Sequence, residues 1–591
     1  MNEKKLVIAE KPSVGRDIAK VLKCNKKGDG FLYNDNYIVS WAIGHLVQLK
    51  EPEDYNIEYK RWRFEHLPIL PEKMDLKAAP NTKEQLNILK KLMNSKETSE
   101  IVCATDSGRE GELIFRYIYE FVKCKKPVKR LWISSLTDQA ILAGLKNMKP
   151  IEEYDKLYYS AKCRSEADWL VGMNATRAFT LTKGELLPIG RVQTPTLAMI
   201  TARQEEINNF VPKDYFQVQA DFTAKNGEYT GLWENGDENR TYKREQAEEI
   251  TKKVDKKQGI IKDISKEKKQ QPPPQLFDLT ELQRECNRIL GLSAKQTLAT
   301  AQVLYEKHKI ITYPRTDSRY ITDDMITKLE PTLKSIGYED LKSFVNNILP
   351  LKTPNSRIVN NAKVTDHHAI IPTGKKPPSS LSGTQLQVYR RILMNFIAAF
   401  FPVYVYEITD ITTKVEGEIF KSRGHKDIEK GWTIIYEKER KPLGDLISLE
   451  KGEIVYTKKA QTLAKKTEPP KPYNEAALLS AMEHAGRKIE DESLKEAMKQ
   501  SGLGTPSTRA AIIEKLISSD YLTRKQKNLV PTDKAMQIIN ILPSELISPE
   551  TTGKWEKGLA RIATGELAPE KFMESINRFV DYLIKESKKA K

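Results

Sequence analysis

Tyr313 stands in the stretch Ile310-Ile311-Thr312-Tyr313-Pro314-Arg315-Thr316-Asp317-Ser318, between a short apolar run and a proline turn. Proline has no N–H and biases the residue before it toward an extended conformation, so the phenol should be held in one direction. A phenol is a poor nucleophile at its ordinary pKa of about 10. It becomes a useful one where a cation stabilises the developing phenolate. Arg315 offers a planar charge that can grip a phosphate through two parallel hydrogen bonds. The same letters also fit a tyrosine packed at a strand end beside a surface turn.

A second group is acidic. Glu10-Lys11-Pro12-Ser13 follows the apolar run Leu6–Ala9, and Asp106-Ser107-Gly108-Arg109-Glu110-Gly111-Glu112 follows Ile101–Thr105. Three carboxylates in one turn after a buried strand are costly unless a cation sits among them. Oxygen ligands of this kind suit Mg²⁺, which keeps several waters and shares substrate phosphates. An acid-rich helix N-terminus, favoured by the helix dipole, is the competing reading of Asp106–Glu112 alone. Glu10 at a second strand end favours the metal. A third motif, Val364-Thr365-Asp366-His367-His368-Ala369-Ile370-Ile371-Pro372-Thr373, carries two adjacent histidines. On an extended segment they point to opposite sides and cannot readily share a metal.

The elements that must position these groups can be read from periodicity. Val14, Ile18, Ala19, Val21 and Leu22 recur at helical spacing after Glu10-Lys11, and a second helix runs from Leu113 to about Val122. Two strand-turn-helix units, with a third strand over 128–134, predict a parallel-type α/β domain over 1–150 whose chemistry lies at the strands' carboxyl ends. Residues 151–208 read as helical. Alternation over 215–233 marks β structure, and 403–415, 431–436 and 452–456 form a second β-rich stretch. The triple proline 272–274 is a stiff connector. The expected division is therefore 1–150; 151–208 with 459–591; 209–271 with 400–458; and an inserted 272–399 that carries Tyr313. Ser293–Ile310 and Thr505–Leu522 form a weak repeat of a capped helix with a β exit, and each resembles a helix-turn-helix unit with a wing.

The chain has 591 residues, too many for one core, and a net charge of +17, which suits a polyanionic partner. Its five cysteines are scattered, with no Cys-x-x-Cys pair, so neither a zinc ribbon nor a disulfide framework is expected. The N-terminus does not read as a signal peptide, and the apolar run 392–406 is too short and broken to span a membrane. A cytoplasmic protein is expected. No Walker A sequence is present, so nothing points to ATP.

The Tyr313 stretch, the acid turn, the histidine pair, Gly190-Arg191-Val192-Gln193-Thr194-Pro195 and Gly502-Leu503-Gly504-Thr505-Pro506-Ser507-Thr508-Arg509 together resemble type IA DNA topoisomerases, over about residues 6–579. The branch they look most like is the bacterial topoisomerase III group. The resemblance implies a toroid: a toprim α/β domain, two winged-helix-like units and a β-rich arch. It implies an ATP-independent isomerase that cleaves one DNA strand through a 5′-phosphotyrosyl link at Tyr313. A strand or duplex then passes, and religation completes relaxation or decatenation.

Carried over residue by residue, Arg315 and His367 would stabilise the scissile phosphate and Lys11 would protonate the leaving oxygen. Glu10 would serve proton chemistry or metal, and Asp106 and Glu110 would bind Mg²⁺ with it. Arg191, Gln193, Asp317, Ser318, His368, Thr505, Ser507 and Arg509 would lie along the DNA. Gly108 departs from the family pattern, in which a second aspartate is usual, so one metal rather than a tight pair is expected. Relatives often carry C-terminal zinc ribbons; here any auxiliary DNA grip is zinc-free, absent or lost by truncation. The implied partners are single-stranded and negatively supercoiled DNA, with a helicase or single-strand-binding protein as a candidate. The protein would be a monomer in the bacterial cytoplasm, on nucleoid or plasmid DNA. A metal-dependent toprim nuclease would form no protein–DNA adduct, and a purely architectural DNA-binding protein would never change linking number. Those are the rival readings.

Overall fold

Lys4–Ala9 (KKLVIA) is buried on both faces at its apolar end, as a central parallel strand must be. Leu6 and Ile8 feed one hydrophobic core, and Val7 and Ala9 feed another on the opposite side of the sheet. The computed structural model describes residues 3–590 other than 237, 353, 355, 441–443 and 445. Lys4–Ala9 pairs in parallel with Tyr37–Trp41 on one side and Thr98–Ala104 on the other, and Val128–Arg130 follows, also parallel. Short antiparallel strands complete a seven-stranded sheet. The carboxyl ends of the parallel strands share one edge, which places Glu10, the segment after Trp41 and Asp106 together.

The strand expected over 128–134 stops at Arg130. Beyond it the chain turns beneath the acid turn, where Ser107 Oγ donates to the carbonyl of Ile133 and accepts from its N–H.

A 29-residue helix, Asp155–Lys183, packs with Gln193–Asn208 and the helices after Glu475 around a single core. Six strands close a barrel in the order Asp214–Ala224, Gly227–Trp233, Glu418–Glu429, Tyr404–Val415, Gln258–Gln271, Ile454–Lys466. Both chain segments therefore contribute to one β unit, and its last strand runs to Lys466, past 458. The β character expected at 431–436 is not found: Gly431–Glu439 is a 3₁₀ helix. Its Ile435 joins the core of the 276–401 unit, and its Trp432 Nε1 donates to the Gln271 carbonyl. These side chains serve helical docking rather than a pleat.

The 272–399 unit begins where the barrel strand ends at the prolines. Ala294–Glu306 starts at a capping box made by Ser293 and Gln296. Its counterpart, Pro506–Ser518, starts at the Thr505–Thr508 box and leads into the hairpin Leu522–Lys525/Asn528–Pro531. Among the described residues the first unit has no such hairpin. Phe277 pairs with Ile370 and Ile311 with Pro372, so a segment some sixty residues downstream replaces a local wing.

Candidate active site

Tyr313 is fixed by the segment that carries the histidines. Thr312 N–H donates to the Ile371 carbonyl (2.9 Å), Thr312 Oγ1 to the Ala369 carbonyl (3.0 Å), and Thr373 N–H to the Ile310 carbonyl (3.0 Å). The two motifs therefore act as one rigid piece. Against that piece sits the sheet edge: Lys11 Nζ lies 2.6 Å from Asp106 Oδ2, 2.9 Å from Glu10 Oε1 and 4.2 Å from the centre of the Tyr313 ring. His367 Nε2 lies 3.0 Å from the same Asp106 oxygen, and its ring centre is 4.4 Å from that of Tyr313. The backbone N–H of Asp106 donates to Glu10 Oε2.

Burial works to raise the Asp106 carboxyl, but His367 and Lys11 hold it well below the usual carboxylate range. Burial works to lower the Lys11 amine, and the charges of Asp106 and Glu10 hold it well above its ordinary value. Burial and the Asp106 charge push Glu10 up to about 7. Burial likewise pushes the Tyr313 phenol up to about 12, against the pull of Lys11. At neutral pH the site thus stores its nucleophile protonated beside a fixed ammonium, with Glu10 poised to exchange a proton.

The turn's other acids divide. Glu112 is fully buried on Arg130 (2.5 Å) and belongs to the core, apart from Glu10, Asp106 and Glu110, the acids expected to hold metal. Arg130 also donates to the carbonyls of Thr105 and Asp106, clamping the turn. Glu110 is exposed and pairs with His45 Nε2 at 2.5 Å. Glu10, Asp106 and Glu110 are hard oxygen donors that suit Mg²⁺ in type. Each has a basic side chain against it here, and among the described residues no group of three His, Cys, Asp or Glu side chains converges as a metal cage.

Several expected DNA contacts point elsewhere. Arg191 is buried, bonded to Asp168 (2.8 Å) and Glu556 (3.2 Å), because Glu556 gathers Arg109, Arg164 and Arg191 into one network. Arg509 is buried and donates to Thr280 Oγ1. Ser318 is buried and donates to the Lys363 carbonyl, and Asp317 accepts from Thr365. Thr505 and Ser507 bond to each other at the helix cap, and Gln193 starts its helix beside Gly190. Burial drives the His368 imidazole down to about 4, so it is neutral, and its Nδ1 donates to the Ala369 carbonyl. Arg315 is exposed, and its guanidinium lies 2.9–3.2 Å from the Gln302 side-chain amide, whose oxygen accepts from it once that amide is turned.

Sequence reasoning missed His45, Tyr305 and Asp366. Tyr305 packs edge-on to Tyr313 and reaches Ser13 Oγ at 3.4 Å. His45 follows a parallel strand just as Glu10 and Asp106 do, and that placement was the available signal. A cavity of roughly 200 Å³ lies beside the site between the two units, lined by Asp106, Ser135, Lys309, Tyr313, His367 and Lys375 among others.

Residues 5–136 match the Toprim domain, and 152–574 match the DNA topoisomerase family. DNA topoisomerase 3 of Bacillus cereus is 43% identical over 600 residues, covering 99% of this chain and 82% of that protein; the Bacillus subtilis protein of the same name is 41% identical over 599. The chain belongs to the type IA DNA topoisomerases. The fold agrees: full-length topoisomerase I from Thermotoga maritima superposes with a TM-score of 0.71 over 98% of this chain and 90% of that one, at 21% identity. The architecture of this topoisomerase is thus the multidomain α/β plus α+β toroid. Among its described residues no helix is long and apolar enough to cross a membrane, and all five cysteines are buried and unbridged.

Proposed function

We propose that Tyr313 is the nucleophile of this topoisomerase and that its protein partners in the step are Lys11, Glu10, His367 and Arg315. The observation that carries the reading is the stacking of Lys11 Nζ against the Tyr313 ring while the same ammonium bridges Glu10 and Asp106. The phenol oxygen attacks phosphorus, the bond from phosphorus to the 3′ oxygen breaks, and the 5′ side stays on tyrosine. The phenol's proton passes to Glu10, and Lys11 supplies a proton to the 3′ oxygen, so the net transfer runs from phenol to 3′ hydroxyl. His367 and Arg315 hold the phosphate oxygens as charge builds, an effect worth roughly 3–4 kcal/mol per donor in other enzymes.

One phosphodiester is exchanged for another of similar energy, so reversal reseals the strand without ATP. Glu10, Asp106 and Glu110 would hold Mg²⁺, whose contribution is to neutralise and align the phosphates at the break. Between cleavage and resealing, the 272–399 unit swings from the 1–150 unit on its two connections to the barrel and a second strand passes. Single-stranded regions of negatively supercoiled DNA are the substrate, and decatenation uses the same gate. We further assign the protein to the bacterial cytoplasm as a monomer, with a helicase or single-strand-binding protein as its source of open DNA. Incubating protein with labelled single-stranded oligonucleotide and denaturing tests the core reading. Tyr313→Phe abolishes the covalent adduct if it holds, and an undiminished adduct would overturn it.

A further inference from the structure

Gly108 begins the helix Arg109–Phe121 with φ −158° and ψ 179°, an extended backbone open to any residue. A Cβ built there meets Asp366 of the tyrosine-bearing unit before anything else: Oδ2 at 2.4 Å, Oδ1 at 2.5 Å and Cγ at 2.7 Å. Gly111 is a useful contrast, because a Cβ there would lie 2.0 Å from the Asp106 carbonyl oxygen, inside the same turn. Position 111 is bare for its own fold. Position 108 is bare for its neighbour.

The Asp366 side chain is mostly covered, yet among the described residues its carboxylate takes part in no hydrogen bond or ion pair, while the residues on either side, Thr365 and His367, do. Around it stand the like charges of Asp106 and Asp317, offset by His367 and Arg109. A carboxylate with no protein partner, its oxygens open to solvent, meets the other unit here through its fit against the bare Cα. The next residue in the chain is His367, whose ring must reach Asp106.

We propose that Gly108 and Asp366 are a socket and peg that set how deeply the tyrosine-bearing unit docks on the acid turn, with Asp366 a positioning residue for the His367–Asp106 contact. The turn thereby gains a carboxylate at position 108 only while the two units are docked, and loses it as the gate parts. This inference rests on the reading of Tyr313 and His367 given above.

The test places a dye pair at exposed positions 27 and 342, reads docking by energy transfer, and reads single-turnover adduct formation alongside it. Melting temperature serves as the folding control. In Gly108→Ala and Gly108→Asp the collision forces a shift of about 1 Å, so energy transfer falls and adduct formation drops about 100-fold, with melting unchanged. Asp366→Ala loses less, since nothing collides, and Asp366→Asn, which keeps the shape, docks as the wild type does. The exchange G108D/D366A returns the carboxylate from the other side and recovers docking and most of the adduct. Wild-type docking in Gly108→Ala, an exchange no better than Gly108→Asp, or undocking by Asp366→Asn would each overturn the proposal. Docking does not use the Tyr313 hydroxyl, so failure of the nucleophile assignment shows separately, as an adduct that survives Tyr313→Phe while docking responds as described.

Discussion

The imidazole Nε2 of His367 lies 3.0 Å from Oδ2 of Asp106, across 261 residues of sequence. The contact joins the segment that fixes Tyr313 to the edge of the parallel sheet, so one side chain spans the two units. If His367 acts on the scissile phosphate as proposed, the imidazole exchanges this carboxylate for a phosphate oxygen when DNA binds. Replacing His367 with Ala should slow single-turnover adduct formation by about 10²–10³. Adduct formation at the wild-type rate would remove His367 from the chemistry.

Lys11 touches Asp106, Glu10 and the Tyr313 ring at once. If Lys11 is the proposed proton donor and stabilises the phenolate, Lys11→Ala removes both effects and should cost about 10²–10⁴ in cleavage rate. Lys11→Arg keeps the charge but scarcely yields a proton, so it should recover substrate binding without cleavage. An arginine variant that cleaves like the wild type would leave Lys11 an electrostatic role only.

Glu10 gives a pH prediction of unusual sign. Its carboxyl is raised from 4.5 to about 7, so between those values the folded protein holds a proton that the unfolded chain has released. Its contribution to stability therefore falls as pH rises from 4.5 to about 7 and levels above that. Glu10→Gln cannot lose that proton. Thermal melts of the toprim transition at pH 5 and pH 8 should differ less for the variant than for the wild type, and equal slopes would refute the assignment.

Arg191 should behave as a structural residue. Removing it takes one cation from the buried Glu556, which keeps Arg109 and Arg164, and frees the half-exposed Asp168, at a cost of about 1.5–3 kcal/mol. Arg191→Ala should lower the melting temperature while leaving the salt dependence of single-stranded DNA binding nearly unchanged. A slope smaller by about one phosphate contact would restore the DNA role.

Chelation separates the two halves of the reaction. With EDTA, adduct formation on single-stranded DNA should persist, because Lys11, His367 and Arg315 need no metal. Relaxation of negatively supercoiled plasmid should stop and return with added Mg²⁺. Loss of the adduct along with relaxation would place the metal in the cleavage step itself.

Local letters singled out the candidate chemistry-bearing residues. Pro314 directs the tyrosine, an apolar strand ends at Glu10, and another ends at Asp106, each a consequence of backbone sterics and periodicity within a few residues. The pairing of the two β stretches across the insertion was also legible, because alternation marks a buried face whose partner must lie elsewhere in the chain. Tertiary structure decided what each charge does. Arg191, Arg509 and Glu112 look in sequence like any groove cation or ligand acid, yet burial commits them to internal partners; Glu110 met an unforeseen His45. The wing expected after Glu306 gave way to residues 370–372, and the helix at 431–439 replaced an expected strand, because each segment's best partner was distant. Most telling is Gly108, whose backbone needs no glycine at all. Its reason is a carboxylate 258 positions along the chain, and such a steric demand has no local signature because it exists only once two units meet.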